Sequence, residues 1–100
     1  MDSQLKKGIL EILVLASLKY EDSYGYVINQ EISEVIDISE STLYPILRRL
    51  EQQNYVRTYQ TTFNSRIRKY YQITKVGLTK LRESEADFME MKKVYDYVLR

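Results

Sequence analysis

Between Arg48 and Lys75 the chain carries Arg48, Arg49, Arg57, Arg66, Arg68, Lys69 and Lys75 against a single acid, Glu51. Cations gathered in this way suit a phosphate backbone, because each one placed beside a polyanion releases a condensed counterion. Just ahead of them stand Ser41, Thr42 and Tyr44, whose hydroxyls donate and accept hydrogen bonds and so match base edges or phosphate oxygens. The formal charge of the whole chain is only +1, so the rest of the sequence is net acidic and the cations form a patch.

Other chemistry is poorly served. Histidine and cysteine are absent, which removes imidazole and thiolate metal ligands, disulfides and the usual nucleophile and base pairs. The three glycines, at 8, 25 and 77, are too scattered for a phosphate-binding loop. Carboxylates such as Glu31 and Glu34 are expected to form a solvated helix face. The reading is therefore of a binding protein and not an enzyme, with no catalytic residue, no metal and no cofactor. One hundred residues, 44% of them hydrophobic and 29% charged, fit one globular core. Asp2, Lys6, Lys7 and Glu11 interrupt the first apolar stretch, so neither a signal peptide nor a membrane span is expected, and a cytoplasmic location is.

The elements that must position these groups follow from periodicity. Leu5, Ile9, Ile12, Leu13 and Ala16, widened by Leu10, Val14 and Leu15, predict a helix from Ser3 to Leu18 whose apolar face is too broad for one neighbour. That width fits contact with a second subunit through Leu5 and Ile9, or a central place in a monomer. Tyr24, Ile28, Ile32 and Val35 predict a second helix, capped by Asp22 or Ser23. A short turn leads to a third, Ser41 to Gln53, with Leu43, Ile46, Leu47 and Leu50 buried and Ser41, Pro45, Arg48 and Gln52 opposite. Tyr44 and Arg49 flank that face; their alternatives are, for Tyr44, a half-buried packing role and, for Arg49, a solvated cation paired with nearby acids such as Glu51. Pro45 marks either a functional strain or a late helix start. Residues 55–62 and 67–73 are β-branched and aromatic and predict a two-stranded hairpin around Phe63-Asn64-Ser65-Arg66, with Tyr71 facing the core. Thr74 then caps a last helix of about 24 residues and about 36 Å, in which Leu81, Ser84, Phe88, Met91, Tyr95 and Val98 follow a coiled-coil period. It predicts a homodimer, the alternative being a fold-back across the first helix.

Three blocks now combine. Ser23-Tyr24-Gly25-Tyr26 opens the second helix, Ser41-Thr42-Leu43-Tyr44-Pro45-Ile46-Leu47-Arg48-Arg49-Leu50-Glu51 forms the third, and Arg68-Lys69-Tyr70-Tyr71-Gln72-Ile73-Thr74 returns to Gly77. Together they resemble the PadR family of bacterial transcriptional regulators, in its compact branch with one C-terminal helix. The resemblance implies a mainly α fold with a small β-hairpin: a winged helix-turn-helix over residues 1–74 and a dimerisation helix over 75–100, in one compact unit. It implies a repressor that binds a palindromic duplex. Ser41, Thr42, Tyr44 and Arg48 match the recognition helix, and Arg66, Arg68 and Lys69 the basic wing. Leu5, Ile9, Leu81, Phe88, Met91, Tyr95 and Val98 are assigned to dimerisation. A small aromatic or lipophilic effector at the dimer interface is also implied. Asn64-Ser65-Arg66 stands where many relatives place a glycine. A protein-binding winged helix is the competing class, disfavoured by the basic window; use of the same surface on RNA is disfavoured by the narrow A-form major groove.

Overall fold

In the computed structural model, which describes all 100 residues, each helix start is set by a side-chain oxygen or a strand. The Asp2 carboxylate accepts from the backbone N–H groups of Gln4 and Leu5 and opens α1, Ser3–Ser17. Ser23–Tyr24 form a short strand, β1, which runs directly into α2, Gly25–Ser33. Ser39 caps α3, Glu40–Gln52. Strands β2, Val56–Phe63, and β3, Arg66–Ile73, make the wing, and Thr74 caps α4, Lys75–Val98, by accepting from the Gly77 N–H at 3.0 Å.

The core is built from one face of each element. Leu10, Val14, Leu15 and Leu18 from the α1 side meet Ile28 and Ile32 of α2, Leu43, Ile46, Leu47 and Leu50 of α3, Val56 and Tyr71 of the wing, and Leu81 of α4. Burial of these side chains, at about 1.5–3 kcal/mol each, is the main force that holds three short helices against the sheet. Beyond Ser84, α4 has no buried residue and leaves the body, which gives the molecule its 54 × 27 × 21 Å shape.

Several expectations change. The wing is not a lone hairpin: β1 pairs antiparallel with β3, Ser23 opposite Tyr71 and Tyr24 opposite Tyr70, so the sheet has three strands in the order β1-β3-β2. An isolated hairpin is marginal in water, and β1 ties this one to the body. Neither Asp22 nor Ser23 caps α2, which starts after Tyr24 with no side-chain cap. Asp22 instead accepts from the Tyr59 hydroxyl at 2.6 Å and from Gln72 Nε2 at 3.3 Å. Val35 lies past the end of α2 and is 70% exposed, so it is not part of the apolar face. α3 starts at Glu40, ahead of Ser41, so Pro45 falls inside the helix and the Ser41 carbonyl lacks its i+4 donor on the exposed face. Tyr71 is buried as expected, but Ile67, of the same parity, lies beyond the core and is exposed.

α3 ends in a Schellman motif. Asn54 adopts φ 63°, its N–H donates to the Glu51 carbonyl, and the Tyr55 N–H donates to the Leu50 carbonyl at 2.9 Å. The chain therefore turns sharply into β2 and brings the Tyr55 carbonyl against the start of α4, where it accepts from the Thr74 N–H.

The wing tip turns in two residues, Asn64 and Ser65, with φ 50° and 65° and Phe63 paired to Arg66, the signature of a type I′ turn. Asparagine tolerates the left-handed region; serine pays about 1–2 kcal/mol there. Glycine would remove that strain while adding back roughly 0.5–1 kcal/mol of unfolded-chain entropy. Ser65→Gly should therefore stabilise the protein by about 0.5–1 kcal/mol, read as a higher midpoint in urea at unchanged slope; a lower midpoint would reject the turn assignment.

Candidate nucleic-acid interface

The buried stripe of α3 fixes which side chains face outward: Ser41, Thr42, Tyr44, Pro45 and Arg48 are exposed, while Leu43, Ile46, Leu47 and Leu50 are buried. At the N-terminal end three hydroxyls converge. Ser39 Oγ lies 2.9 Å from Ser41 Oγ and 3.1 Å from Thr42 Oγ1 while accepting from the Thr42 N–H. Two of the three were expected at the site; the third, Ser39, is the cap of α3. Arg48 has no carboxylate within 4 Å and stands free at the centre of the face.

Tyr44 combines its two readings. It remains 40% exposed, yet its hydroxyl and ring edge sit over Gly25, so close that a Cβ there would come within 2.9 Å of Tyr44 Oη. Gly25 thus lets the tyrosine lie against the start of α2, which holds its hydroxyl at the edge of the exposed face. Arg49 is half-buried and paired: its Nε and Nη2 reach Glu11 Oε1 at 2.7 and 2.6 Å and strap α3 to α1. The partner is Glu11 and not Glu51. Glu51 accepts from Thr58 Oγ1 at 3.0 Å and pairs with Lys69 at 3.6 Å.

The three wing cations separate by strand parity. Arg66 is exposed at the tip. Lys69 shares the face of Tyr71, beside Glu51 and Tyr44, and so borders α3. Arg68 lies on the outer face, its guanidinium 4.7 Å from the Tyr24 ring and 4.8 Å from the Phe63 ring. Its neighbours continue as a ladder in which Tyr70 packs against Tyr24 and Tyr59, with centroids at 5.4 and 5.6 Å. Cation–π contact with two rings holds Arg68 as a brace of the wing. The hydrogen bond to Asp22 raises the Tyr59 pKa above the ordinary phenol value, so this end of the ladder stays neutral and donating at physiological pH.

The residues expected at a subunit interface divide as well. Leu81 is 2% exposed within the single chain, so it belongs to the core and has no surface for a partner. Its period matched the seam because α4 uses one stripe twice, against the body at Leu81 and against solvent further on. Leu5, Phe88, Met91, Tyr95 and Val98 are exposed and Ile9 is half-buried. Leu5, Gly8, Ile9 and Ile12 of α1 and Ser84, Asp87 and Phe88 of α4 line a groove of about 310 Å³. No helix is long and apolar enough to cross a membrane.

Residues 14–83 match the model of the transcriptional regulator PadR-like family. A PadR family transcription regulator from hypervirulent Clostridium difficile has 30% identity and a TM-score of 0.85 over 91% of this chain and 98% of its own. A PadR-like transcriptional regulator from Bacillus cereus superposes with a TM-score of 0.87 at 28% identity, covering 98% of both chains. An uncharacterised Lysinibacillus sphaericus protein is 34% identical over 99 residues, which is 94% of this chain and 91% of that one.

Proposed function

This chain belongs to the PadR-like family of transcriptional regulators, and from that premise we propose that it binds a palindromic duplex as a homodimer and acts as a repressor. The observation that carries the reading is the composition of the exposed α3 face. A helix that enters a major groove needs polar side chains near its N-terminal end, and Ser41, Thr42, Tyr44 and Arg48 are exposed there with Arg48 unpaired. Arg66 at the wing tip and Lys69 beside α3 supply backbone contacts on one flank, and Arg68 braces the strand that carries them.

A repressor of this kind works by occupancy, and a two-fold dimer sets the geometry of its operator. Two α3 helices reach half-sites separated by about one helical turn or a multiple of it. The exposed apolar stripe of α4 with Leu5 and Ile9 of α1 supports that pairing, and the α1 to α4 groove is the place for a small aromatic or lipophilic effector to alter it.

Fluorescence anisotropy against the duplex upstream of the gene and a scrambled control, over a salt series, tests the reading. Salt-sensitive binding with preference for the native duplex is expected. Failure on both duplexes at low salt would leave the fold serving a protein partner. Arg48→Ala should lower affinity for the preferred duplex by roughly 1–3 kcal/mol and reduce discrimination between the two. Equal loss on both would make Arg48 a phosphate contact.

A further inference from the structure

Lys6 and Lys7 interrupt the apolar pattern of α1, and the fold gives them a place. A groove of about 460 Å³ runs between α1 and α3, with Lys6 and Lys7 on one wall and Thr42, Pro45 and Arg49 on the other. An adjoining hollow shares Lys6 and Thr42 and is bounded by Asp37, Ile38 and Ser39. Arg49 is already held by Glu11. Neither lysine has a carboxylate within 4 Å, Asp37 included, so two ammonium groups stand uncompensated beside Thr42.

Their position relative to α3 decides their role. At about 100° per residue, Thr42, Pro45 and Arg49 lie on one flank of α3, Tyr44 and Glu51 on the other, and Ser41 and Arg48 between them. The wing, through Lys69 and Glu51, takes the Tyr44 flank; the α1 lysines take the Thr42 flank. A helix seated in a major groove has a phosphate backbone on each side, and the wing serves only one of them.

We infer that Lys6 and Lys7 seat the second phosphate backbone, on the flank of α3 away from the wing, so that α1 is part of the duplex-binding surface. This rests on the duplex-binding reading above. The contact is ionic and without sequence information, since a lysine acts on phosphate as a point charge.

The test is a Lys6→Gln/Lys7→Gln double variant in the full chain, with affinity measured on native and scrambled duplexes across a salt series. The plot of log affinity against log salt should become shallower by about 3.6 for the dimer, because four lysines are lost from the complex and each lost phosphate contact removes roughly 0.9 from the slope. Loss on the two duplexes should be equal, leaving their ratio unchanged, and Lys6→Arg/Lys7→Arg should restore the slope. Unchanged slope in the double glutamine variant, with the wild type binding normally, overturns the assignment of the lysines and leaves the functional reading intact. A loss of affinity at unchanged slope does the same, since it marks a distorted α1. Absence of duplex binding by the wild type overturns both.

Discussion

Replacing Gly77 with alanine is expected to destabilise the fold by about 3 kcal/mol, the upper part of the range for overpacking. The reason is the corner between α3 and α4. The Schellman turn at Asn54 directs the Tyr55 carbonyl at the first turn of α4, where the Thr74 N–H donates to it at 3.1 Å. A Cβ on Gly77 would lie 2.0 Å from that carbonyl oxygen and 2.9 Å from Ile73 Cγ1. The obstacle is backbone, so no rotamer change relieves it, and separating the two elements breaks the Thr74 corner: its hydroxyl also donates to the Asn54 carbonyl at 2.6 Å. Alanine's better helix propensity returns at most about 1 kcal/mol and does not reverse the sign. In a domain of this size the loss should lower the melting temperature by roughly 12–24 °C. Calorimetry or circular dichroism measures it, and a fall of only a few degrees would mean that this corner yields easily.

In the homodimer proposed above, Phe88→Asp is expected to convert dimer to monomer while leaving the monomer folded. After Glu85, which pairs with Lys19 at 2.8 Å, and the groove edge at Asp87 and Phe88, α4 has no buried residue, yet Phe88, Met91, Tyr95 and Val98 keep an apolar stripe at spacings of three and four. A stripe of that extent on an otherwise charged helix is rare unless a partner covers it. A carboxylate at its centre would be buried without a counter-charge on pairing, at a cost of several kcal/mol per ion. In sedimentation the mass should halve, and the helical signal should persist. Losing the second half-site contact should weaken binding to a palindromic duplex by about a hundredfold or more. A dimeric mass in the variant would place the interface elsewhere.

Much of this protein was legible in its sequence because local patterns carried the information. The hydrophobic period of α3 selected Leu43, Ile46, Leu47 and Leu50 for the core and left Ser41, Thr42, Tyr44 and Arg48 outside, as the structure has them. The two β-rich runs around Asn64 and Ser65 became β2 and β3, and Thr74 capped a helix of 24 residues. These features depend on side-chain periodicity, turn chemistry and capping, which are properties of neighbours in the chain.

What only the tertiary structure decided was pairing between distant segments. Ser23 and Tyr24 read as the start of a helix, but they became a strand because β3, nearly fifty residues later, offered an edge to pair with. Arg49 read either as a DNA-facing cation or as a partner for a nearby acid such as Glu51, a little over half a turn away on the same helix, and instead reached Glu11 of α1. Arg68 and Lys69 read as one basic unit until the pleat sent them to opposite faces, one onto Tyr24 and Phe63 and the other toward Glu51. Gly8 and Gly77 are both helical glycines in sequence, yet nothing stands within 4 Å of a Cβ at Gly8 and a backbone carbonyl stands against Gly77. Leu81 and Phe88 share one stripe of α4, and only the length of the body against which that stripe packs separates core from surface. Sequence by itself determined the four helices, the two wing strands, their order and the polar face of α3, since those follow from short-range period and propensity. The partners of each charged or aromatic side chain were set by where the chain crosses itself, which no local pattern encodes.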